Sequence, residues 1–568
     1  MFKRSIKFTG ILFLVLAVSS GILLAQGPET PAESTNFQSG PTMYDDLMNY
    51  VYDLESKSEL MNVQKVTETL MGRDVVLCIL SNPAVYKASD AVNGDKPIVL
   101  IVNNVHGGEV AGKDATLILM RDLLFRDLRA LLDDVIVLII PTINPDGAEA
   151  GRRTNEQGFD MNRDYLKLET QEIHALVTKV INRWQPDLHI DTHHGGSEPY
   201  VITYQTNMNP AGDKELMRLG NEVILPRMRQ ALRAENYDGF WYSGPRFEGG
   251  EPVSWGPTSV EPRKQHVYST LANMVGFLFE TPRGGFRVIN NGTEVVAIPN
   301  EERYRHQVRG EYIGQRAMIQ FAADEPELLR KTVMEAKRRA TMLGMNDSDN
   351  DQIPLEYEQV ENFKEEFWFR PGGRGAGQDV QWQKKSFPIL TKWTPTRTTT
   401  RPWGYVMPPQ MAHVVPLLLD HEISVQKLIE PYSLEVEVYY ATDVDNSEYF
   451  QGHYLKKITA EKRTETVEFP AGSFFVPAGQ PKSNLLCYLL EPETNDNLIT
   501  WSHLDAYLRA MSEEQRQRMQ ERAARFSNRS SSRRSGQLIP IYRLMKKAEV
   551  KGTLVEYFNT FEKNRHIR

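Results

Sequence analysis

The chain has 568 residues, of which 40% are apolar and 25% are charged, a composition typical of globular proteins. Its length exceeds a roughly 150-residue domain several-fold, so we expect two or three domains. The formal net charge of −8 argues against nucleic-acid binding as the main function, because a phosphate backbone attracts basic surfaces.

The first 25 residues have the pattern of a secretory signal peptide. Lys3, Arg4 and Lys7 precede an apolar run over residues 11–24, and Ala25 stands before polar sequence. We expect cleavage after Ala25, with an uncleaved anchor as the alternative, and export to the periplasm or the extracellular space. Later segments lack the ~20 consecutive apolar residues that a membrane span requires, so we expect none after signal removal.

Cys78 and Cys487 are the only cysteines, and each lies in an apolar, strand-like run. We interpret them as buried, inert thiols; a disulfide between them in an oxidising compartment is the alternative. They cannot form a cysteine-based metal site.

Residues 26–41 are polar and rich in proline and serine, which predicts a linker. From residue 42 onward, apolar runs of strand length alternate with stretches whose apolar residues recur every three or four positions. We predict strands at 75–80, 98–102, 135–140, 188–192, 200–204 and 276–280, and helices at 112–128, 169–184, 214–235 and 303–343. This alternation predicts an α/β fold over 42–345, with a mostly parallel, twisted mixed sheet covered by helices on both faces.

The residue composition of the sequence changes after residue 345. A polar patch predicts a linker over 346–360. Over 361–568, β-branched and aromatic runs separated by proline and glycine predict a smaller β-rich domain. Within it we expect strands at 434–441, 456–470 and 473–476. An arginine-rich segment near 513–534 is interpreted as a mobile, solvated helix or loop.

The first chemical motif is His106-Gly107-Gly108-Glu109, between the predicted strand 98–102 and a helix. A histidine and a carboxylate three residues apart, leaving the carboxyl end of a parallel strand, can converge on one Zn²⁺. The alternative is a glycine-rich loop whose Glu109 begins a helix.

The second motif contains three histidines at the end of the predicted strand 188–192. Alternation places His189, Asp191 and His193 on one face, and His193 lies at the mouth of the sheet, where ligands bind. We therefore expect His193 to bind metal, with His189 deeper in the strand and His194 pointing away. Two histidines and one glutamate would leave a coordination position open, as a catalytic zinc requires.

A base and a set of arginines complete the candidate site. Glu280 ends the strand 276–280, where burial would raise its proton affinity into the range of a general base; a solvated strand exit is the alternative. Residues 151–165 contain arginines followed by an Asn-Arg pair, which suits binding of a carboxylate and stabilisation of an oxyanion. A solvated surface loop is the alternative there.

Together these motifs resemble the zinc metallocarboxypeptidase family, typified by pancreatic carboxypeptidase A. His-x-x-Glu at 106–109, Asn-Pro-Asp-Gly at 144–147, Arg-x-Asn and Asp-x-Asn-Arg-Asp-Tyr within 153–165, a late histidine and Phe-x-Phe-Glu-Thr at 277–281 follow the family order over 42–343. The resemblance is to an exported bacterial member with a C-terminal accessory domain.

The resemblance implies one Zn²⁺, with His106, Glu109 and His193 as its ligands and Glu280 as the general base. It implies that Arg153 polarises the scissile carbonyl, Arg152 being the alternative.

The remaining implied roles concern the substrate and the ligand histidine. Asn162 and Arg163 would hold the terminal carboxylate of the substrate, and Asp160 would orient His106. For the substrate-contacting tyrosine we prefer Tyr268 over Tyr242.

The function implied by the resemblance is hydrolysis of C-terminal peptide bonds by a zinc-dependent metallocarboxypeptidase. A related zinc amidase or deacylase, acting on acylated amino acids with a free carboxylate or on cell-wall peptides, is the closest alternative. A binding protein of the same fold that has lost turnover is a third.

Overall fold

The computed structural model describes residues 27–256, 259–347, 351–372, 381–509 and 536–556, with 514, 517 and 518. The predicted signal peptide and nearly all of the arginine-rich segment lie outside the described residues. Within them, we find no helix with the length and hydrophobicity needed to span a bilayer.

An eight-stranded mixed sheet forms the centre of residues 42–345. Its strands, numbered along the chain and given in spatial order, are β1 (Met61–Glu68), β2 (Asp74–Leu80), β4 (Ile136–Ile140), β3 (Ile98–Asn103), β5 (Leu188–His194), β10 (Val275–Thr281), β6 (Ile202–Thr206) and β7 (Gly239–Trp241). The four strands from β4 to β10 run parallel, and antiparallel pairs flank them. The inner strands are buried on both faces, which explains the continuous apolar sequences of β3 and β4.

Helices cover both faces of this sheet, as the sequence predicts. One face carries α2 (Tyr44–Lys57), α4 (Ala111–Phe125), α9 (Leu225–Ala234), α11 (Arg303–Asp324) and α12 (Pro326–Met345). The other carries α3 (Ala88–Val92), α6 (Gln171–Ala175), α7 (Asn182–Trp184) and α10 (Gln265–Leu271). Shorter elements are α1 (Pro31–Ser34), α5 (Pro145–Glu149) and α8 (Lys214–Arg218), the π-helical turns Leu176–Ile181 and Leu219–Ile224, and the 3₁₀ turns Arg129–Asp133, Met161–Arg163, Asn290–Gly292, Asn300–Glu302 and Pro409–Val414.

The C-terminal region is rich in β-structure, as predicted. A seven-stranded antiparallel sheet contains, in spatial order, β20 (His453–Phe469), β19 (Tyr432–Phe450), β22 (Gln537–Leu544), β17 (Gly404–Met407), β21 (Phe474–Pro477), β18 (Gln426–Leu428) and β23 (Gly552–Leu554). The helices α13 (Val415–Asp420) and α14 (Ser483–Leu490) pack with it. Two-stranded pairs are β11 (Phe286–Ile289) with β12 (Glu294–Ala297), and β13 (Gln352–Val360) with β16 (Lys392–Thr400).

The C-terminal region and the α/β region are joined by a common sheet and a common hydrophobic cluster. A four-stranded sheet joins β8 (Pro245–Glu248) and β9 (Glu251–Trp255) to β14 (Phe363–Phe369) and β15 (Gln383–Ile389). One hydrophobic cluster also runs from the helices α6 and α7 into the seven-stranded sheet. The β-rich region is therefore packed as part of the same core and forms a wall beside the α/β sheet.

Several local expectations are wrong. Most of the predicted linker 346–360 is strand β13, because Ile353 and Leu355 bury their side chains. The predicted linker 26–41 contains α1, in which Thr30 and Glu33 cap one another reciprocally. The helical run predicted over 303–343 is divided, since Pro326 begins a second helix.

The two cysteines are buried and free, as predicted, and the disulfide alternative is wrong. Cys78 lies on β2, but Cys487 lies on α14 instead of a strand. Every residue of α14 is buried, and a helix buried on all sides cannot be told from a buried strand by its apolar pattern.

Candidate active site

Three neighbouring strands bring the predicted metal ligands and base to one edge of the sheet. His106 follows β3, His193 lies near the end of β5, and Glu280 lies near the end of β10. β5 pairs with both β3 and β10 in parallel, and Glu280 stands directly opposite His193 in the register. The carboxyl ends of parallel strands are the edge where ligands of open α/β sheets bind.

The side chains of His106, Glu109 and His193 converge on one point. Glu109 Oε2 lies 2.8 Å from His106 Nδ1 and 2.9 Å from His193 Nδ1, and the two Nδ1 atoms are 3.0 Å apart. Two imidazole nitrogens and a carboxylate facing one another form a donor set for a cation, and all three are types that zinc prefers. The residues present therefore fit a zinc ion with one open coordination position.

Glycine allows the loop between these ligands to approach the neighbouring chain. A Cβ atom on Gly107 would lie 2.1 Å from the backbone carbon of Gly147. The backbone N–H groups of Gly107 and Gly108 donate to the carbonyls of Arg153 and Arg152. The glycines thus fasten the metal-ligand loop to the segment that carries Arg153.

Each candidate ligand histidine has a carboxylate at its other ring nitrogen. Asp160 Oδ1 lies 2.9 Å from His106 Nε2, and Asp191 Oδ2 lies 2.7 Å from His193 Nε2. Such partners fix the tautomer, so that Nδ1 presents its lone pair to a metal. Sequence analysis predicted the role of Asp160 but assigned none to Asp191, although its spacing of two residues from His193 on a strand was the available signal.

The structure distinguishes Arg153 from Arg152. Arg153 Nη1 donates to Glu109 Oε1 at 3.1 Å and Nε donates to Asp160 Oδ2 at 3.0 Å, while the side chain stays half-exposed. Arg152 instead pairs with Glu156 at the surface. Arg153 is therefore the arginine that faces the metal ligands.

The side chains of Asn162 and Arg163 lie in different surroundings. Arg163 is partly buried, and its Nη1 donates to the Asn162 carbonyl at 2.7 Å. Asn162 is buried, with Nδ2 donating to Asp191 Oδ2 at 3.2 Å and Oδ1 accepting the Gln265 N–H at 2.9 Å. The side chain of Asn162 is therefore occupied by these internal hydrogen bonds and does not face the site. It instead helps to orient Asp191, the carboxylate that contacts His193.

The two tyrosine candidates have different surroundings. Tyr268 is fully buried in the hydrophobic core, and its hydroxyl lies 3.1 Å from His421 Nδ1. Tyr242 is partly exposed, and repulsion by the Glu280 carboxylate, together with burial, raises the pKa of its hydroxyl. Tyr268 is enclosed in the core and the charge of Glu280 acts on Tyr242, so the structure favours Tyr242 over Tyr268, the tyrosine we preferred from the sequence.

Glu280 lies in a largely desolvated position. Burial raises the pKa of Glu280 to about 8, although the charge of His193 opposes the effect. A Cβ atom on Gly195 would be 2.7 Å from Glu280 Oε2, so a larger residue there would displace the carboxylate from this position. A second carboxyl, Glu311 on α11, is fully buried without a hydrogen-bond partner among the described residues, and burial raises its pKa well above the ordinary value.

The other two histidines of the motif do not join the cluster. His189 is buried deeper in β5, with Nδ1 3.0 Å from Ser269 Oγ. His194 Nε2 accepts a hydrogen bond from the Ala111 N–H at 3.0 Å. Both placements agree with the predicted choice of His193 alone.

A cleft of about 840 Å³ opens beside the metal ligands. Glu109 and Arg153 are part of its lining. The C-terminal region contributes Trp368, Phe369, Arg370 and Trp382 to its wall. Sequence analysis assigned no site residue to this region, because the wall depends on pairing between β9 and β15.

Comparison with known proteins finds similarity to carboxypeptidases. Residues 47–285 match the family model described as zinc carboxypeptidase. Carboxypeptidase 2 of Trichophyton tonsurans is 23% identical over 483 residues, which cover 82% of this chain and 84% of that protein. The carboxypeptidase N catalytic chain of Homo sapiens is 28% identical over 147 residues, which cover 22% of this chain and 31% of that protein.

Solved structures include similar chains. The metallo-carboxypeptidase from Pseudomonas aeruginosa in complex with (2-guanidinoethylmercapto)succinic acid has a TM-score of 0.38 and 19% identity, covering 52% of this chain and 70% of that chain. Carboxypeptidase A from Helicoverpa armigera has a TM-score of 0.38 and 16% identity, covering 50% of this chain and 75% of that chain.

Proposed function

Because the chain belongs to the zinc carboxypeptidase family and is a zinc-dependent metallopeptidase, we propose that it removes residues one at a time from the C-terminus of peptides. The observation that carries the proposal is the convergence of His106, Glu109 and His193 beside Glu280, which stands opposite His193 in the sheet. These four side chains supply the ligands and the base of a hydrolytic site.

A bound Zn²⁺ supplies Lewis-acid chemistry, polarising the carbonyl and lowering the pKa of a water molecule. Glu280 accepts a proton from the attacking water at its carboxylate and returns it to the leaving amine nitrogen. The half-exposed guanidinium of Arg153 donates hydrogen bonds to the oxygen on which negative charge develops. Arg163 binds the terminal carboxylate of the substrate, since a guanidinium fork matches carboxylate geometry.

We further propose that the mature protein acts outside the cytoplasm, in the periplasm or beyond the cell. The basic start, apolar run and Ala25 of the N-terminal segment support export. Fractionation of the native host, with N-terminal sequencing of the protein, tests this. Recovery of a chain that begins near residue 26 outside the cytoplasm is the expected result, and a cytoplasmic chain that retains residues 1–25 contradicts it.

Hydrolysis of C-terminal bonds is tested with a mixture of free and C-terminally amidated peptides. The zinc-loaded protein should trim free peptides stepwise from the C-terminus and spare amidated ones, and a chelator should abolish the activity until zinc is restored. Internal cleavage, or hydrolysis restricted to N-acylated amino acids or cell-wall peptides, contradicts the proposal. The latter result would favour the deacylase or amidase alternative.

A further inference from the structure

Positive charge is concentrated in the cleft beside the metal ligands. Arg246, Arg283 and Arg370 line it in addition to Arg153. The chain as a whole has a net charge of −8, so this concentration does not follow from a generally basic surface. A cleft in which one sign of charge predominates focuses the field and attracts ligands of the opposite sign.

These three arginines form no ion pair with the described residues. Within the described part of the chain, none has a carboxylate oxygen within the 4.0 Å ion-pair distance, whereas Arg153 contacts both Glu109 and Asp160. The one further acid in the lining, Glu198, turns its Oε1 to the backbone N–H of Gly285 at 2.9 Å. Arg246 Nη2 donates to the side-chain oxygen of Gln359, which is a neutral partner. No described carboxylate therefore neutralises the three guanidinium charges.

Arg370 is held in place by aromatic rings. Its Cζ lies 5.2 Å from the ring centre of Phe286 and 5.3 Å from that of Trp382. Cation–π contacts of this kind orient a guanidinium without neutralising its charge. A pre-positioned, unpaired cation is the arrangement expected of a binding group.

The position of the cleft indicates which part of a substrate it receives. Arg153 and Glu109 belong to its lining, but Arg163, which is proposed to hold the terminal carboxylate, does not. A peptide anchored at Arg163 would therefore extend its upstream residues, those before the scissile bond, into the cleft. The volume of about 840 Å³ lies within the ~300–1,000 Å³ typical of ligand pockets.

We propose that this cleft is a specificity site for acidic side chains upstream of the scissile bond, formed by Arg246, Arg283 and Arg370. The proposal rests on the proposed carboxypeptidase function. It gives the C-terminal region, which supplies Arg370 and Trp382, a part in substrate selection.

Peptides of equal length with the same C-terminal residue test the proposal. The three positions before the scissile bond carry aspartate, serine or lysine. At low ionic strength we expect kcat/KM for the aspartate peptide to exceed that for the lysine peptide about tenfold or more, with the ratio falling as salt is added. Equal kcat/KM for the three peptides overturns the specificity site while leaving the carboxypeptidase function intact.

Variants assign the effect to the cleft. Arg283→Gln and Arg370→Gln should each lower kcat/KM for the aspartate peptide about fivefold and leave that for the serine peptide unchanged. Arg370→Lys, which keeps the charge, should lose less. Arg338→Gln, which removes an exposed arginine on α12, is the matched control. Equal losses for the aspartate and serine peptides overturn the proposal.

Binding to the Glu280→Gln protein gives a measurement that does not depend on turnover. In calorimetry the aspartate peptide should bind more tightly than the lysine peptide, and Arg370→Gln in the same background should reduce the difference. Equal Kd values overturn the specificity site even if no peptide is hydrolysed. Tighter binding of the aspartate peptide without hydrolysis by the wild-type protein would contradict the proposed function alone.

Discussion

Gln451 accepts a hydrogen bond through Oε1 from the backbone N–H of Asp160 at 2.9 Å, although 291 residues separate the two. Gln451 lies at the turn between β19 and β20, and Asp160 contacts His106. At the same turn, a Cβ atom on Gly452 would be 3.1 Å from the ring of Phe159. The β-rich region therefore supports the loop that carries Asp160.

The first prediction concerns this contact. Gln451→Ala removes the acceptor and leaves a backbone N–H without its partner, which costs about 1–3 kcal/mol. We expect a lower zinc affinity and about a tenfold loss of kcat/KM, because Asp160 holds the metal-ligand His106. Competition with a chelating dye measures the affinity. Lys457→Ala, at an exposed position of the same hairpin, is the control, and unaltered zinc affinity in Gln451→Ala would contradict the role.

The second prediction separates catalysis from metal binding. Glu280→Gln should keep one zinc ion per chain but lower kcat by about 10²- to 10⁴-fold, because the amide cannot accept the proton of the attacking water. Metal content is measured by atomic emission and kcat with a short free peptide. A variant with full activity would remove Glu280 from the base position.

The third prediction concerns Asp191, which sequence analysis did not assign. Asp191→Asn preserves shape but removes the charge beside His193 Nε2. We expect zinc affinity to fall about 10- to 100-fold, with a matching fall in activity at limiting zinc that excess zinc restores. Wild-type affinity in a folded Asp191→Asn protein is the result that would refute the role.

The fourth prediction distinguishes the two tyrosines. Tyr242→Phe should lower kcat/KM about tenfold with little change in stability, since the charge of Glu280 acts on its hydroxyl. Tyr268→Phe should leave kcat/KM unchanged and lower the free energy of unfolding by about 1–3 kcal/mol, because His421 loses its partner. Kinetics and urea unfolding of both variants provide the comparison; the reverse pattern would restore Tyr268 to the site.

The fifth prediction tests whether the two regions unfold together. Glu491 is fully buried and accepts hydrogen bonds from Arg543 Nε at 2.9 Å, Tyr405 at 2.7 Å and Tyr439 at 2.8 Å. Arg543→Met leaves that charge uncompensated and should cost about 3–5 kcal/mol.

Because the hydrophobic cluster runs through both regions, peptidase activity and tryptophan fluorescence should be lost in one urea transition, shifted to lower urea in the variant. Activity that survives after the C-terminal region has unfolded would contradict the shared core.

Much of the α/β region and its candidate metal site could be predicted from local sequence. The apolar runs of β3 and β10 and the alternating pattern of β5 indicate strands, and polar side chains at the carboxyl ends of parallel strands meet at one edge of the sheet. This rule brings together His193 and Glu280, which lie on strands, and the loop that follows β3 and carries His106 and Glu109. The family match over 47–285 agrees with that reading.

Side-chain direction and long-range contacts were decided only by the tertiary structure. Asn162 turns inward because Asp191 and the Gln265 N–H satisfy its amide, and Tyr268 is buried because α10 packs its face against the core. The wall that contains Arg370 depends on the pairing of β9 with β15, which are more than a hundred residues apart, and Gln451 reaches Asp160 through a hydrogen bond across 291 residues. Local periodicity carries no information about such pairings, since they depend on which surfaces the folded chain brings into contact.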